Sequence, residues 1–256
     1  MSNSKQKTVD RYKLDSASTE LWCRLLVQSR NKSQQRKTYG VFVLKGKDAI
    51  SNVARSLEVQ VFNEFFGNDE VVFAKEYGSY DKHSEFILVV DQKRLIPVGV
   101  ARLIRHSEKG LKTINDVTHE LGPWKTSLKK IMKTHKLALY NTIDIATIAV
   151  KRRYKNKRSR RIVRSLLFHA IYQHAVDAKA THWVALLDDM HVRTFKALGI
   201  PIVNLADTES RPYLGSSSTS PILVEVNMVS PSIKTKSRFN HLLLIRGRVL
   251  RSLASF

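Results

Sequence analysis

The clearest place in this sequence where side chains could do chemistry is a basic run between two regular elements. Residues 151–161 read KRRYKNKRSRR, with eight lysines or arginines and no acid. Segment 142–150 is rich in β-branched residues and predicts a central strand, whereas apolar residues at helical spacing from Val163 to Ile171 predict a helix. Because a helix N-terminus favours anions, we expect N–H groups near Ser159–Arg161 and the surrounding cations to bind a phosphate.

The sequence leaves the identity of that phosphate open. A pyrophosphate, a phosphopantetheine phosphate or a nucleic-acid backbone would each fit, and the alternative is a solvated basic turn. The run is no Walker loop, because GxxxxGK[ST] and GxGxxG are both absent. The sequence also lacks a GxSxG nucleophile motif, and its histidines show no HExxH spacing, so we expect no metal.

The charge of the whole chain favours an anionic partner. Lysine and arginine total 44 against 22 acids, a formal net charge of +22. Solubility of a small domain needs a net charge of only roughly 2–8, so the excess indicates nucleic acid or an acidic protein. The single cysteine, Cys23, excludes a disulfide framework and a cysteine zinc site. Without a membrane-length apolar run or a secretory signal, we expect a reducing, cytoplasmic location.

The order of predicted elements indicates the fold class. Strands and helices follow as β-α-β-β-(α)-β-α-β-α-β-β, which predicts an α/β (α+β) fold, a mixed central sheet with helices on both faces. We expect one domain over 39–228, a basic N-terminal extension over 1–38 with a helix within 19–30, and a basic amphipathic tail over 229–256. The predicted strands are 39–46, 84–91, 95–105, 142–150 and 182–187 with two more near the end, and the helices include 48–66, capped by Asp48, and 124–135.

The strand, basic run and helix resemble the acyl-CoA-binding motif of GNAT-superfamily acyltransferases. In that family a strand leads into a loop of the form Arg/Gln-x-x-Gly-x-Gly/Ala, which enters the helix. In this chain the basic position falls at Lys155. Arg158 and Arg160 stand where the family has its two glycines. The resemblance therefore implies a phosphate held more by side chains than by closely approaching backbone.

A closer resemblance within the superfamily is to acyl-homoserine-lactone (autoinducer) synthases and long-chain N-acyl amino acid synthases. Those families carry Glu-x-Asp-x-Tyr-Asp before one strand and Gly-x-x-Arg-Leu on the next. This chain has EYGSYD and then VGVARLI, with Gly78 in place of the middle aspartate. The matching residues are Glu76, Tyr80, Asp81, Gly99, Arg102 and Leu103.

Further positions match less closely. The autoinducer-synthase strand Trp-Glu-x-x-Arg-Phe becomes IDIATI, so Asp144 takes the acidic place and Thr147 replaces the arginine. An arginine usual in an earlier helix falls at Glu58. Downstream, WVALLDDMHVRTFKALG and the later RPYLGSS resemble the closing strand, helix and loop of these synthases. The resemblance covers about 39–228.

The resemblance implies a bacterial enzyme that moves a fatty acyl group from a thioester onto the amine of an amino acid or related small molecule. The donor would be acyl carrier protein (ACP), which is acidic, or acyl-CoA, and no cofactor would be bound permanently. The attacking amine must lose a proton. Asp144 would accept it, because burial among apolar neighbours could raise its pKa. Backbone N–H groups near Ile148 and Val150 would stabilise the oxyanion.

The other implied site residues surround this chemistry. Glu76 and Asp81 are alternative acids for holding the amine. Arg102 would pair with one of them or bind a substrate carboxylate, because a buried arginine needs a partner. Tyr80 and Thr147 would contact substrate. The residues expected to bind the donor are Lys155, Asn156, Lys157, Arg158, Ser159, Arg160 and Arg161.

Several alternatives remain open from the sequence. The chain could be a nucleic-acid-binding protein on a GNAT scaffold, or a short-chain acetyltransferase acting on a protein or small-molecule amine. The departures at Glu58, Gly78 and Thr147 are also compatible with lost activity. The tail could contact an anionic membrane, or it could be a packed C-terminal segment.

Overall fold

The computed structural model describes residues 8–256, which form a mixed α/β fold. The helices and strands are α1 Ser16–Gln28, α2 Lys32–Gln35, β1 Tyr39–Lys45, α3 Asn52–Phe66, α4 Glu70–Tyr77, β2 Ser84–Asp91, β3 Ile96–Arg105, α5 Lys112–Thr118, α6 Leu128–His135, β4 Thr142–Val150, α7 Lys157–Asp177, β5 His182–Asp188, α8 Asp189–Leu198, β6 Val203–Asn204, β7 Arg211–Tyr213, β8 Ser216–Glu225, α9 Val226–Lys236, α10 Arg238–Asn240, α11 Leu250–Leu253 and β9 Ala254–Ser255. Short 3₁₀ segments include Gly78–His83.

The strands confirm the predicted mixed sheet. Within the described residues, the nine-stranded sheet has the order β6-β8-β5-β4-β3-β2-β1-β9, and β7 pairs with β8. β1 is antiparallel to β2, β4 is parallel to β5, and β5 is antiparallel to β8. The chain divides into two compact units whose boundaries fall inside β3, β4 and α7 and after Ile245. The first unit comprises residues up to Arg102, Thr147–Ile171 and Arg246–Phe256, and the second comprises Leu103–Ala146 and Tyr172–Ile245.

The core of the first unit joins α3 to the face of β1, β2 and β3. Val53, Leu57 and Val61 recur at helical spacing on α3 and are buried. They belong to one apolar cluster with strand residues such as Phe86 and Val100. α1 adds Cys23 and Leu26 to the cluster, so the helix expected within 19–30 contributes to this core.

The core of the second unit covers one side of β5 and β8. Leu111, Ile114 and Val117 of the α5 region pack in one cluster with Val184 of β5 and Leu223 of β8. α6 contributes Ile131, which is fully buried. This cluster fixes α5 in place, and α5 carries residues of the candidate site.

The structure corrects several predicted boundaries. The helix expected over 124–135 begins only at Leu128, because the Ser127 side chain accepts a hydrogen bond from the N–H of Lys130 and caps it. Asp48 makes no side-chain capping bond, and a 3₁₀ turn precedes α3. Helices α4 and α5 were not predicted. At eight and seven residues, both are shorter than the window in which helical periodicity becomes visible.

The C-terminal segment is part of the folded protein. β9 pairs in parallel with β1, and the Arg30 side chain donates to the carbonyl of Phe256 at 2.7 Å. The apolar residues buried in this segment are Val229, Ile233, Leu244, Ile245, Leu250 and Ala254. Across residues 8–256, no helix is both long and apolar enough to cross a membrane.

Candidate active site

A buried network of ion pairs lies in the first unit. Arg102 contacts Glu58 with an Nη2–Oε2 distance of 2.7 Å and Asp81 with an Nη1–Oδ1 distance of 3.1 Å. The Nε of Arg55 also lies 3.1 Å from Asp81. All four side chains are at most 1% exposed. Two cations therefore face two carboxylates, which is the balance that buried charges require.

Three elements place these charges. Arg55 and Glu58 lie three residues apart on α3 and share a face, Asp81 comes from the 3₁₀ segment, and Arg102 comes from β3. Gly99 on β3 lets α7 approach closely, because a Cβ there would lie 2.5 Å from Val163. Since strand side chains alternate, Arg102 faces away from α7. Of the two acids predicted as its partner, Asp81 makes the contact, while Glu76 lies half-buried on α4.

Glu58 and Thr147, two of the departures from the synthase pattern, are direct partners. The Thr147 hydroxyl donates a hydrogen bond to Oε1 of Glu58. Glu58 also accepts from Nε and Nη2 of Arg102. The two substitutions therefore form one hydrogen-bonded unit. The contacts of Glu58 and Asp81 raise the pKa of Arg102 well above its ordinary value, although burial opposes this.

Tyr12, from the N-terminal extension, completes the network. Its hydroxyl donates to Oδ1 of Asp81 at 2.9 Å, and the residue is 1% exposed. Burial raises the pKa of Tyr12 to about 12, although the nearby Arg102 lowers it. The phenol therefore stays protonated and can donate. Tyr12 was missed in the sequence, where the only signal was an aromatic residue in a polar arm.

A buried carboxyl group, that of Asp144, lies in the second unit. It is fully buried and accepts two hydrogen bonds from Thr113, one from the N–H at 2.6 Å and one from the hydroxyl at 2.8 Å. Desolvation raises the pKa of Asp144 to about 7, against the opposing effect of the Thr113 bonds. Asp116 raises this pKa further and Lys112 lowers it. A carboxyl group with such a pKa can exchange protons near neutrality.

A polar triad that the sequence did not reveal lies beside Thr113. Nζ of Lys112 contacts Asp116 at 2.7 Å and the hydroxyl of Tyr213 at 3.0 Å, and that hydroxyl donates to Asp116 at 2.7 Å. The ring of Trp124 packs against Tyr213 with centroids 5.4 Å apart. Lys112 is 4% exposed, so this is a buried lysine held by a fixed set of partners.

The ladder between β4 and β5 is short and ends at Asp144. It joins Thr142, Ile143 and Asp144 to His182, Trp183 and Val184. Within the second unit, Trp183 packs its ring against Tyr172 of α7. Because side chains alternate, Val184 and the opposing Asp144 face away from α7. Ile148 and Val150, the predicted oxyanion positions, lie on β4 beyond the last pair.

The basic run forms a loop and the first turn of α7, as expected. The Asn156 side chain accepts from the N–H of Ser159 at 3.0 Å and caps the helix, so this N–H is already bonded. Lys155 is anchored, because its Nζ lies 2.8 Å from Asp91. The side chains exposed to solvent include Arg152, Arg153, Lys157, Arg158 and Arg161, whereas Ser159 and Arg160 are half-buried. An anion would therefore meet side chains before backbone N–H groups.

Asp91 and Tyr154 fix the position of this loop. Tyr154 is buried and its hydroxyl donates to Oδ2 of Asp91 at 2.7 Å. Burial alone raises the pKa of Asp91, but the hydrogen bonds from Lys155, Tyr154 and the N–H of Arg94 hold it below its ordinary value. Asp91 therefore stays charged and holds the ammonium group of Lys155 in an ion pair.

Tyr80 and Cys23 were also considered in the sequence. Tyr80 is half-buried in the 3₁₀ segment, and its carbonyl accepts from the Ser84 hydroxyl at 2.9 Å. Cys23 is fully buried, and desolvation raises its thiol pKa to about 12, which leaves no reactive thiolate near neutrality. Among the described residues, no group of three histidine, cysteine or acidic side chains could hold a metal ion.

The raised pKa of Asp144 predicts a pH-dependent stability. The folded state keeps a proton that the unfolded chain, with the ordinary pKa of 3.8, releases at lower pH. We therefore expect the free energy of unfolding to fall as pH rises from about 4 to about 7. Urea unfolding at several pH values should show a steeper fall for the wild type than for Asp144→Asn. Parallel curves would contradict the assignment.

Comparison with known proteins gives a likeness in fold alone. No protein-family model matches the sequence, and no curated protein matches it. Solved structures do match: FeeM, an N-acyl amino acid synthase from uncultured soil microbes, has a TM-score of 0.56 and 10% identity over 79% of this chain and 98% of its own. The acyl-homoserine lactone synthase LasI has a TM-score of 0.54 and 12% identity over 78% and 96%.

A third similar structure is the CoA-dependent acyl-homoserine lactone synthase BjaI, solved with SAM and isopentyl-CoA. It has a TM-score of 0.51 and 13% identity over 85% of this chain and 92% of its own. The predicted resemblance to these two kinds of synthase is therefore confirmed at the level of the fold.

Proposed function

We propose that this chain is an N-acyltransferase that moves a fatty acyl group from a thioester to the amine of an amino acid or related small molecule. The observation that carries the proposal is Asp144, a fully buried carboxyl group with a pKa near 7 at the end of the β4–β5 ladder. The fold supports it, because the similar structures include an N-acyl amino acid synthase and acyl-homoserine lactone synthases.

In this reaction the amine nitrogen attacks the thioester carbonyl carbon, an N–C bond forms and the C–S bond breaks. The amine proton passes to Asp144, directly or through a water molecule, and the thiolate that leaves takes up a proton from water. A base is most useful when its pKa lies near the working pH, which the burial of Asp144 provides. Thr113 orients the carboxylate through two hydrogen bonds. N–H groups near Ile148 and Val150 are the proposed oxyanion donors.

The proposed donor is an acyl thioester of phosphopantetheine, carried by ACP or by CoA. Exposed cations of residues 151–161 would attract an acidic carrier protein and contact the phosphate of the arm. Arg158 and Arg160, which replace glycines of the resembling family, would bind through their guanidinium groups. This mode suits a loop whose Ser159 N–H is already bonded to Asn156.

The proposed acceptor is an amino acid. The autoinducer synthases place one arginine in the earlier helix and one in the acidic strand. Here Glu58 and Thr147 stand at these positions, and the Thr147 hydroxyl donates a hydrogen bond to the Glu58 carboxylate. This argues against an acceptor that needs those arginines, including S-adenosylmethionine. Glu76 and Asp81 are both proposed as amine-holding acids, and Asp81 is in contact with Arg55 and Arg102.

The direct test incubates the purified chain with acyl-ACP or acyl-CoA of several chain lengths and a mixture of amino acids. Mass spectrometry of the products should show N-acyl amino acids with a long chain. Turnover of acetyl-CoA without long-chain product would instead support a short-chain acetyltransferase. Salt-sensitive binding of nucleic acid without consumption of any thioester would support the nucleic-acid-binding alternative.

Reversing the charge of the basic loop should weaken donor binding. We expect Arg158→Glu combined with Arg160→Glu to raise the KM for acyl donor by about tenfold or more, with a smaller effect on kcat, because steering acts on association. Steady-state kinetics at two salt concentrations would measure this. The control is Lys129→Glu with Lys133→Glu on α6, which changes the net charge by the same amount at exposed positions. An equal effect of both pairs would contradict a local role.

A further inference from the structure

A cavity of about 390 Å³ in the first unit is lined largely by cationic side chains. Its walls come from the segment after α2, from the turn after β2, and from the loop before α7. The charged lining residues are Arg36, Lys37, Asp91, Lys93, Arg94 and Lys155. Small-ligand sites in proteins occupy roughly 300–1,000 Å³, so the cavity can hold a small molecule.

The charge balance of this cavity favours an anion. Five cations face one carboxylate, that of Asp91, which is 1% exposed. Asp91 is already neutralised, because it contacts Nζ of Lys155 at 2.8 Å and accepts from Tyr154 at 2.7 Å. Lys37 donates to the carbonyl of Ser252 at 3.3 Å, which orients its ammonium without cancelling its charge. A ligand in the cavity therefore meets a strong positive potential.

The walls of the cavity are fixed before any ligand arrives. Nε2 of Gln92 donates to the carbonyls of Gln34 and Lys37, each at 2.9 Å, and to that of Tyr39 at 3.2 Å. Gln92 is 5% exposed, so these bonds are shielded from water. The N–H of Arg94 donates to Asp91 at 3.2 Å. This preorganisation reduces the entropy that binding would otherwise cost.

We propose that this cavity binds a small phosphorylated ligand through a phosphate monoester. A phosphate monoester carries two negative charges, so its electrostatic attraction to several cations is stronger than that of a singly charged diester. Arg36 and Arg94 provide planar guanidinium groups, which match the geometry of phosphate oxygens. The proposal concerns binding alone and does not depend on the acyl-transfer reaction.

Isothermal titration calorimetry of the full chain tests the proposal with three probes: inorganic phosphate, adenosine 3′,5′-bisphosphate and adenosine. The account predicts saturable binding with one site for the bisphosphate and none for adenosine. Tighter binding of the bisphosphate than of phosphate would identify a nucleotide as the ligand, and equal binding would identify free phosphate. Binding of adenosine as tight as that of the bisphosphate would overturn the proposal.

Variants locate the site. Arg36→Gln with Arg94→Gln should weaken bisphosphate binding by about tenfold or more, because the variant loses the hydrogen bonds from two guanidinium groups to the phosphate and each of them adds to the affinity. Both side chains are exposed, so the fold should survive. Lys129→Gln with Lys133→Gln removes the same charge from α6 and should leave affinity unchanged. An equal loss in both pairs, or tighter binding of a single-stranded oligonucleotide that competes at the same residues, would overturn the proposal.

Discussion

Asp144→Asn is expected to lower kcat for acyl transfer by about 10²–10⁴-fold, the range that general acid–base catalysis supplies. Asparagine is isosteric with aspartate but cannot accept a proton from the amine. Its amide oxygen can still accept from the Thr113 N–H, and its NH₂ can donate to the Thr113 hydroxyl. The variant should therefore fold, and its KM for the donor should change little.

The pH profile gives this prediction a second readout. The wild-type rate should rise with pH through an inflection near the Asp144 pKa of about 7, because the base must be deprotonated. The residual rate of Asp144→Asn should lack that inflection. The matched control is Asp207→Asn, an exposed aspartate in the same unit, which should leave kcat and its pH dependence unchanged. A rate within threefold of wild type for Asp144→Asn would exclude Asp144 as the base.

Arg102→Met is expected to destabilise the protein by about 3–5 kcal/mol, the cost of leaving a buried charge without its partner. Removing Arg102 takes away the cation that contacts Glu58, while Asp81 keeps its contact with Arg55. Glu58→Leu should be similarly damaging, because it removes an anion and leaves Thr147 without its acceptor. Urea unfolding would measure both free energies.

The stability of the double variant shows whether Glu58 and Arg102 contribute to folding jointly or independently. Glu58→Leu with Arg102→Met removes one charge of each sign and retains the Arg55–Asp81 pair. Its loss of stability should therefore be clearly smaller than the sum of the two single losses. The matched control is Arg24→Met, which breaks the exposed Glu20–Arg24 pair and should cost less than about 1 kcal/mol. Additive single and double effects would contradict the coupling.

Local patterns in the sequence predicted the central strand, the basic loop and the following helix. β4 has the predicted bounds, and α7 contains the apolar stretch from Val163 to Ile171 that predicted it, because β-branched runs and helical periodicity are local signals. Asp188 caps α8 and Gly199 ends it with φ of 89°, and aspartate and glycine are residue types typical of these two positions. The mixed sheet follows from the order of these elements.

The side-chain partners could not be predicted, because they are distant in sequence. Asp144 is 31 residues from Thr113, Tyr213 is 101 residues from Lys112, and Tyr12 is 69 residues from Asp81. No periodicity links such positions, so Asp144 could be singled out but its partner could not. Glu58 and Thr147 were recognised only as departures from a family pattern. Their contact in the fold shows that the two departures compensate each other.

The most direct test of the acyltransferase account is mass spectrometry of lipid extracts from cells that overproduce the chain, beside cells that overproduce Asp144→Asn at the same level. The account predicts new N-acyl amino acids with long chains in the first extract and their loss in the second. Identical extracts from both cultures, with the two proteins equally folded, would contradict it.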